Sequence, residues 1–245
     1  MIAGALDSYL VATDEERKPD GFFHPSGLFS CDRLAVYEQR GVPRTDDKKP
    51  EEHRPLVMGK LIHELLQASV THLADTEQIA DVWHEVKVFI PTLGVKGSAD
   101  SLVLFADGTY EVEEFKSTKS SGIKYAKGGF TPKEEHVKQG LTYVYGIRYF
   151  PWFTTHVGPD GKEFEVKHDP LGGKLTRLRV TYFGKDAHEI LEFPYTITPE
   201  WEAWFVTHLK LLGDYEGLPP RLPEKNWLCK GYCNWRTRCW GSDGE

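Results

Sequence analysis

The sequence predicts an α/β fold, a mixed central β-sheet flanked by helices. Three observations lead there. Residues 97–105 are β-rich, Ala106-Asp107-Gly108 makes a turn, and residues 109–116 run back, so the stretch reads as a hairpin. Helical periodicity marks residues 57–66, 131–150 and 198–215. The chain has 245 residues, 40% hydrophobic and 27% charged, which is enough to bury one core and calls for no second domain.

The elements follow in order along residues 1–245. Residues 1–11 lack a basic start and carry Asp7 within an apolar run, a poor match to a signal peptide, and no run is long enough for a membrane helix. An intracellular, cytoplasmic protein is the expectation. Residues 26–31 lead into a helix start at Asp32, and residues 44–54 form a polar, charged loop. The helix at 57–66 is amphipathic, with Leu61, Leu65 and Leu66 on its apolar side. Residues 83–90 read as a strand before the hairpin, with Glu85 as an ordinary surface carboxylate. Thr131-Pro132-Lys133-Glu134 is a capping-box start with proline at the first helical position. Residues 152–168 and 174–195 are further strands, turned at Gly158-Pro159-Asp160-Gly161 and Leu171-Gly172-Gly173. In the last helix Trp201, Trp204, Phe205, Leu209 and Leu212 form a packing face.

The chemistry concentrates on the hairpin. Side chains two apart on a strand share a face, so Glu114 and Lys116 point one way and Glu113 and Phe115 the other. Magnesium takes one or two carboxylates beside water and phosphate, and Asp100 with Glu114 would supply them. Lys116 can orient the attacking water and offset charge on the phosphate. His63 on the 57–66 helix adds an imidazole, a ligand suited to manganese. Further on, His136, Gln139 and Tyr143 lie at i, i+3 and i+7 on one helical face, a polar stripe suited to phosphate and base contacts. The net charge of −7 looks wrong for binding nucleic acid. Locally, however, Lys116, Lys119, Lys124, Lys127, Lys133 and Lys138 face only Glu134 and Glu135, and Tyr125 and Phe130 offer rings for stacking.

The order Gly59-x-x-x-His63, Gly97-x-x-Asp100, Glu114-x-Lys116 and Gln139-x-x-x-Tyr143 resembles the RecB-like branch of the PD-(D/E)xK nuclease superfamily, with Ala99 where the superfamily name has proline. The resemblance spans residues 59–143. It implies a restriction-endonuclease-like core, here about residues 57–195. His63, Asp100, Glu114 and the main-chain carbonyl of Phe115 would be ligands to Mg²⁺ or Mn²⁺, and Lys116 the catalytic lysine. Gln139 and Tyr143, with His136, Lys119, Lys124 and Lys127 beside them, would place the DNA. The implied substrate is single-stranded or free-ended DNA, the implied activity exonucleolytic, and the implied partners recombination, replication or CRISPR-type proteins.

All four cysteines fall in a one-plus-three pattern, Cys31 near the start and Cys229, Cys233 and Cys239 within eleven residues near the end. Such short spacings let three thiolates converge on one centre. The arrangement resembles the iron–sulfur subset of RecB-like nucleases, which includes AddB-type nuclease domains and CRISPR-associated exonucleases. There a [4Fe–4S] cluster ties the ends of the domain together, here about residues 26–40 and 226–240. A Cys₄ zinc site is the main rival, although no Cys-x-x-Cys knuckle occurs. For the whole chain the rivals are a non-catalytic DNA-binding subunit of a recombination or helicase–nuclease complex, and an RNA-directed enzyme. Completeness of His63, Asp100, Glu114 and Lys116 argues against a degenerate site, and no phosphate loop gives the sequence an ATPase motor.

Overall fold

A computed structural model describes residues 2–13, 18–46, 53–74, 79–119, 121–123, 132–186 and 189–241. Its centre is a seven-stranded sheet of β1 (Ile79–Ile90), β2 (Val95–Phe105), β3 (Tyr110–Thr118), β4 (Trp152–Val157), β5 (Glu163–His168), β6 (Leu175–Gly184) and β7 (Ile190–Thr196). The strand order is β5-β4-β1-β2-β3-β6-β7. Only β3 and β6 pair in parallel; the other neighbours are antiparallel, so the sheet is mixed as expected.

The α-helices that accompany it include α1 (Ile2–Thr13), α2 (Pro25–Leu28), α3 (Asp32–Gln39), α4 (Arg54–Leu73), α5 (Glu134–Tyr149), α6 (Pro199–Gly213) and α7 (Arg236–Trp240). None is long and apolar enough to cross a membrane. The side-chain alternation of β3 and β6 divides the packing into two layers. Val112, Leu178 and Val180 join the main core with Leu141, Val144 and Ile147 of α5 and Phe205 and Leu209 of α6. Phe115, on the opposite face, packs with Ile62 and Leu66 of α4.

Two helices differ from expectation. The buried stripe of α4 is Ile62 and Leu66, while Leu61 and Leu65 are exposed. Both sets have helical spacing, and the one that meets Phe115 is buried. Helix α5 begins at Glu134 with Lys133 as its N-cap, so Pro132 stands outside it and Thr131 lies outside the described residues. By contrast, α6 starts as predicted, with the Thr198 hydroxyl accepting from the Trp201 N–H at 3.2 Å.

Helix α5 lies tight on the sheet because two of its contacts are glycine. A Cβ at Gly146 would stand 2.2 Å from Cγ1 of Val88, and one at Gly140 2.4 Å from Cδ1 of Leu178. Val88 is β-branched and cannot swing aside. Gly146→Ala is therefore expected to destabilise the protein by about 1–3 kcal/mol through overpacking, measurable as a lower urea midpoint.

The strands β1 and β2 carry matching irregularities. His84 pairs with Ser101 and Val86 with Ala99, but Glu85 and Asp100 between them are skipped. Glu85 has φ 49°, among the described residues the one positive φ outside glycine. Trp83 and Val86 consequently both pack into the main core although they are three positions apart, and so do Leu102 and Ala99 on β2. One extra residue in each strand shifts the side-chain alternation and leaves the register on either side unchanged.

Candidate functional site

The pairing of β2 with β3 runs from Leu104–Tyr110 to Ser101–Glu113, whereas β3 continues along β6 to Thr118. At the end of the β2–β3 ladder Asp100 turns its carboxylate toward β3, and Oδ2 accepts the Phe115 N–H at 2.6 Å. The side chain thus takes a main-chain donor and locks its own orientation. Its other oxygen, Oδ1, lies 3.4 Å from Nδ1 of His63, which α4 presents one residue after the buried Ile62.

Glu114 and Lys116 share the face of β3 that looks toward α5. Lys116 Nζ donates to Glu114 Oε1 and, at 3.1 Å, to Gln139 Oε1. Gln139 Nε2 in turn reaches the Tyr143 hydroxyl at 3.5 Å. Residues from β2, β3, α4 and α5 thus meet at the end of the β2–β3 ladder. The structure brings His63, Asp100, Glu114, Lys116, Gln139 and Tyr143 together.

Burial governs the electrostatics. Glu114 is fully buried, and desolvation pushes its carboxyl up to about 8 despite Lys116 beside it. Burial alone would lower Lys116, but the carboxylates of Glu114 and Asp100 outweigh it and hold its ammonium above the ordinary lysine value. The hydrogen bond to Asp100 likewise raises His63 against its own burial. Glu114 Oε2 is buried without a hydrogen-bond partner among the described residues. As placed, His63 leans on Asp100 and Glu114 on Lys116, and among the described residues no three His, Cys, Asp or Glu side chains stand together as a ready metal cage.

The remaining predicted contacts divide. His136 is turned into the protein, its Nδ1 sharing a hydrogen bond with the Tyr182 hydroxyl at 2.6 Å; burial pushes it down to about 3, so the ring is neutral. Tyr143 is 3% exposed and packs in the core, so it supports Gln139 and offers no face for base stacking. Lys119 is exposed beyond β3, whereas Lys124 and Lys127, with Tyr125 and Phe130, lie outside the described residues. Lys138 is committed to Glu134 at 2.9 Å and to the Trp204 ring, and Lys133 to Glu135 and the Trp227 ring. The basic stretch is therefore partly spent on internal partners.

Sequence reasoning underrated Glu85 and missed Gln67. Gln67 Nε2 donates to Glu85 Oε1 at 3.0 Å and to the main-chain oxygen of Asp100 at 3.1 Å, and Ser98 donates to Glu85 Oε2. This bracket from α4 and β1 fixes the backbone at Asp100. The signal was available as the three-residue step from Trp83 to Val86, which a regular strand does not make.

A second cluster joins the chain's distant segments. Cys31, Cys229, Cys233 and Cys239 all line one cavity of about 20 Å³, with Leu34, Tyr37 and Leu228 around them. None is in a disulfide. Burial pushes the Cys31 thiol up and that of Cys233 up to about 11, and the neighbouring cysteines add to both. The tail is anchored independently of the sulfurs. Trp235 stacks on Tyr37 and donates to the carbonyls of Val42 and Pro43 at 2.9 and 3.1 Å. Asp46 accepts from Thr237 N at 2.9 Å and Thr237 Oγ1 at 2.6 Å, and pairs with Arg236 at 3.0 Å.

No family model matches the chain, and no curated protein does. Among solved structures, the crystal structure of SSO0001 is similar over 98% of this chain and 97% of its own, with a TM-score of 0.56 at 17% identity. LHK-Exo in complex with dAMP aligns with 78% of this chain and 86% of its own, with a TM-score of 0.47 at 14% identity. The first is a likeness of fold along nearly the whole chain; the second is too low to equate even the folds. Fold and site together define a mixed α/β protein with a fully buried Glu114 between half-buried Asp100 and Lys116 at the end of a strand ladder.

Proposed function

We propose that the chain is a metal-dependent nuclease acting on DNA, with residues 1–245 forming one domain. The observation that carries this reading is Glu114 Oε2, a buried carboxyl oxygen without a hydrogen-bond partner among the described residues, beside Asp100, His63 and Lys116. A carboxyl that burial pushes up to about 8 would give up its proton to a cation bound there, and the donors suit a hard divalent ion: two carboxyls, one imidazole and the Phe115 carbonyl. Bound Mg²⁺ or Mn²⁺ would supply polarisation of the phosphate and acidification of water. The chain's own contribution is positional. The Phe115 N–H holds Asp100, Gln67 holds the backbone behind it, and Gln139 aims the Lys116 ammonium at the site, where it offsets charge on the scissile phosphate. Exposed Lys119 would meet the DNA backbone; Gln139 and Tyr143 would act by holding Lys116 in place.

Incubation of the protein with end-labelled single-stranded DNA and Mn²⁺ is expected to release short products, and chelation by EDTA to stop the reaction. DNA retained intact in a stable complex under both conditions would instead establish a binding module.

For the cysteines we propose one shared metal centre. Four thiols that line one cavity would suit either a [4Fe–4S] cluster or zinc once they close on it; among the described residues no three of them stand together as a metal-binding group. Metal analysis after anaerobic purification is expected to give about four iron and four acid-labile sulfide per chain. One zinc without sulfide would decide for the smaller group.

A further inference from the structure

The tail that Trp235 and Asp46 dock is a basic segment of an acidic chain. Residues 221–240 hold Arg221, Lys225, Lys230, Arg236 and Arg238 against Glu224, in a protein of net charge −7. Arg236 is spent on Asp46, while Lys230 is exposed and Arg221 and Lys225 lie over the Trp240 ring at 5.2 and 5.5 Å. A local excess of cations of this kind is the electrostatic footprint of a polyanion.

A second observation is independent of charge. Trp227 and Tyr232, on either side of Lys230 in the sequence, are 53% and 67% exposed, with their rings 5.6 Å apart, edge to face. Docking of the tail does not use them, since that falls to the buried Trp235 and to Asp46. Their place in the fold is beside the Asp100–Lys116 group. Lys133 Nζ lies 4.7 Å from the centroid of Trp227. Lys133 is the N-cap of α5, its N–H donates to the Tyr182 hydroxyl at 3.1 Å, and Tyr182 pairs across the sheet with Lys116. The contact of Lys133 with Glu135, at 3.6 Å, is solvent-exposed and weak, so the ammonium can exchange it for a phosphate.

We propose that Trp227 and Tyr232 form a stacking platform for the unpaired bases of single-stranded DNA, with Lys133 and Lys230 meeting its phosphates. Every base has a face that can lie on an aromatic ring, so the platform reads no sequence. Paired bases are stacked on one another and have no free face, so it prefers a single strand to a duplex. The course of that strand toward Lys116 rests on the nuclease reading; binding to the platform does not.

Fluorescence anisotropy of a labelled oligothymidylate with the full chain, in buffer without added divalent metal, reads binding apart from cleavage. Trp227→Ala and Tyr232→Ala are each expected to weaken single-strand binding about tenfold, the scale of one stacked base, and to leave binding of a duplex of the same length unchanged. Tyr232→Phe keeps the ring and is expected to bind as the wild type does. Both positions are exposed, so circular dichroism and metal content are expected to be unaltered. Lys230→Ala is expected to lower the slope of log affinity against log salt by about 0.7, one phosphate of a single strand. Wild-type affinity in both alanine variants, an equal loss for single strand and duplex, or no binding of the single strand by the wild type would each overturn the proposal. Cleavage in Mn²⁺ without the ring effects would remove the platform and keep the nuclease; the ring effects without cleavage would do the reverse.

Discussion

Lys116→Ala is expected to lower the rate of DNA cleavage by at least about 10²-fold, the scale of removing one group aimed at developing charge. The substitution leaves the strand pairing of β3 untouched, because residue 116 contributes to that pairing through its backbone. It removes the ammonium from Glu114 Oε1 and from Gln139. Glu114, already pushed up to about 8 by burial, can take a proton in place of its lost partner, so the variant is expected to fold. Initial rates on labelled DNA read the activity, and circular dichroism reads the fold. An unfolded variant would show that the ammonium is structural. Lys116→Arg is not expected to rescue, since a planar fork cannot reproduce a point charge between two acceptors.

Asp46→Ala is expected to be the most destabilising single change among the residues that dock the tail, by about 2 kcal/mol, the scale of lost hydrogen bonds to a charged group at a partly exposed site. Asp46 is 9% exposed and receives Thr45 Oγ1, Thr237 N, Thr237 Oγ1 and Arg236. Burial pushes its carboxyl up, but the bonds from Thr237 and Thr45 and the charge of Arg236 outweigh that and hold it below the ordinary aspartate value. The sign of the pH effect follows. A depressed acid contributes stability that is present above its unfolded-state value and is lost as pH falls through the folded-state value. The tail is therefore expected to stay docked at neutral pH and to loosen only in acid below the usual aspartate range. Tryptic cleavage near Arg236 and Arg238, followed against pH, measures this directly, and Asp46→Asn should be cleaved at neutral pH.

Much of the candidate site is legible in the sequence because it rests on local periodicities. Glu114 and Lys116 are two apart on a strand, and Gln139 and Tyr143 four apart on a helix, so spacing alone places each pair on one face. The meeting of His63 with Asp100 needed the order of four motifs, since no local rule brings α4 to the end of the β2–β3 ladder. The burial of Tyr143 and His136 was not legible, because a polar stripe has the same spacing whether it faces water or packed neighbours. Nor could the apolar face of α4 be chosen: Leu61 with Leu65 and Ile62 with Leu66 are equally periodic, and Phe115 of a later strand decides. Asp46 gave no signal of its role, because Thr237, the partner in the tail, lies 191 residues away.

The matched extra residues Glu85 and Asp100 also bear on how a sheet can acquire a reactive aperture. An unmatched insertion would slip one strand against its neighbour and turn an apolar row to the solvent. Because both strands lengthen by one residue at the same rung, the pairs from Asp81–Leu104 to Ile90–Val95 keep one register across it. The geometry of that rung and the fold of the sheet thereby become separable: the rung can be altered while the pairs on either side stay in register.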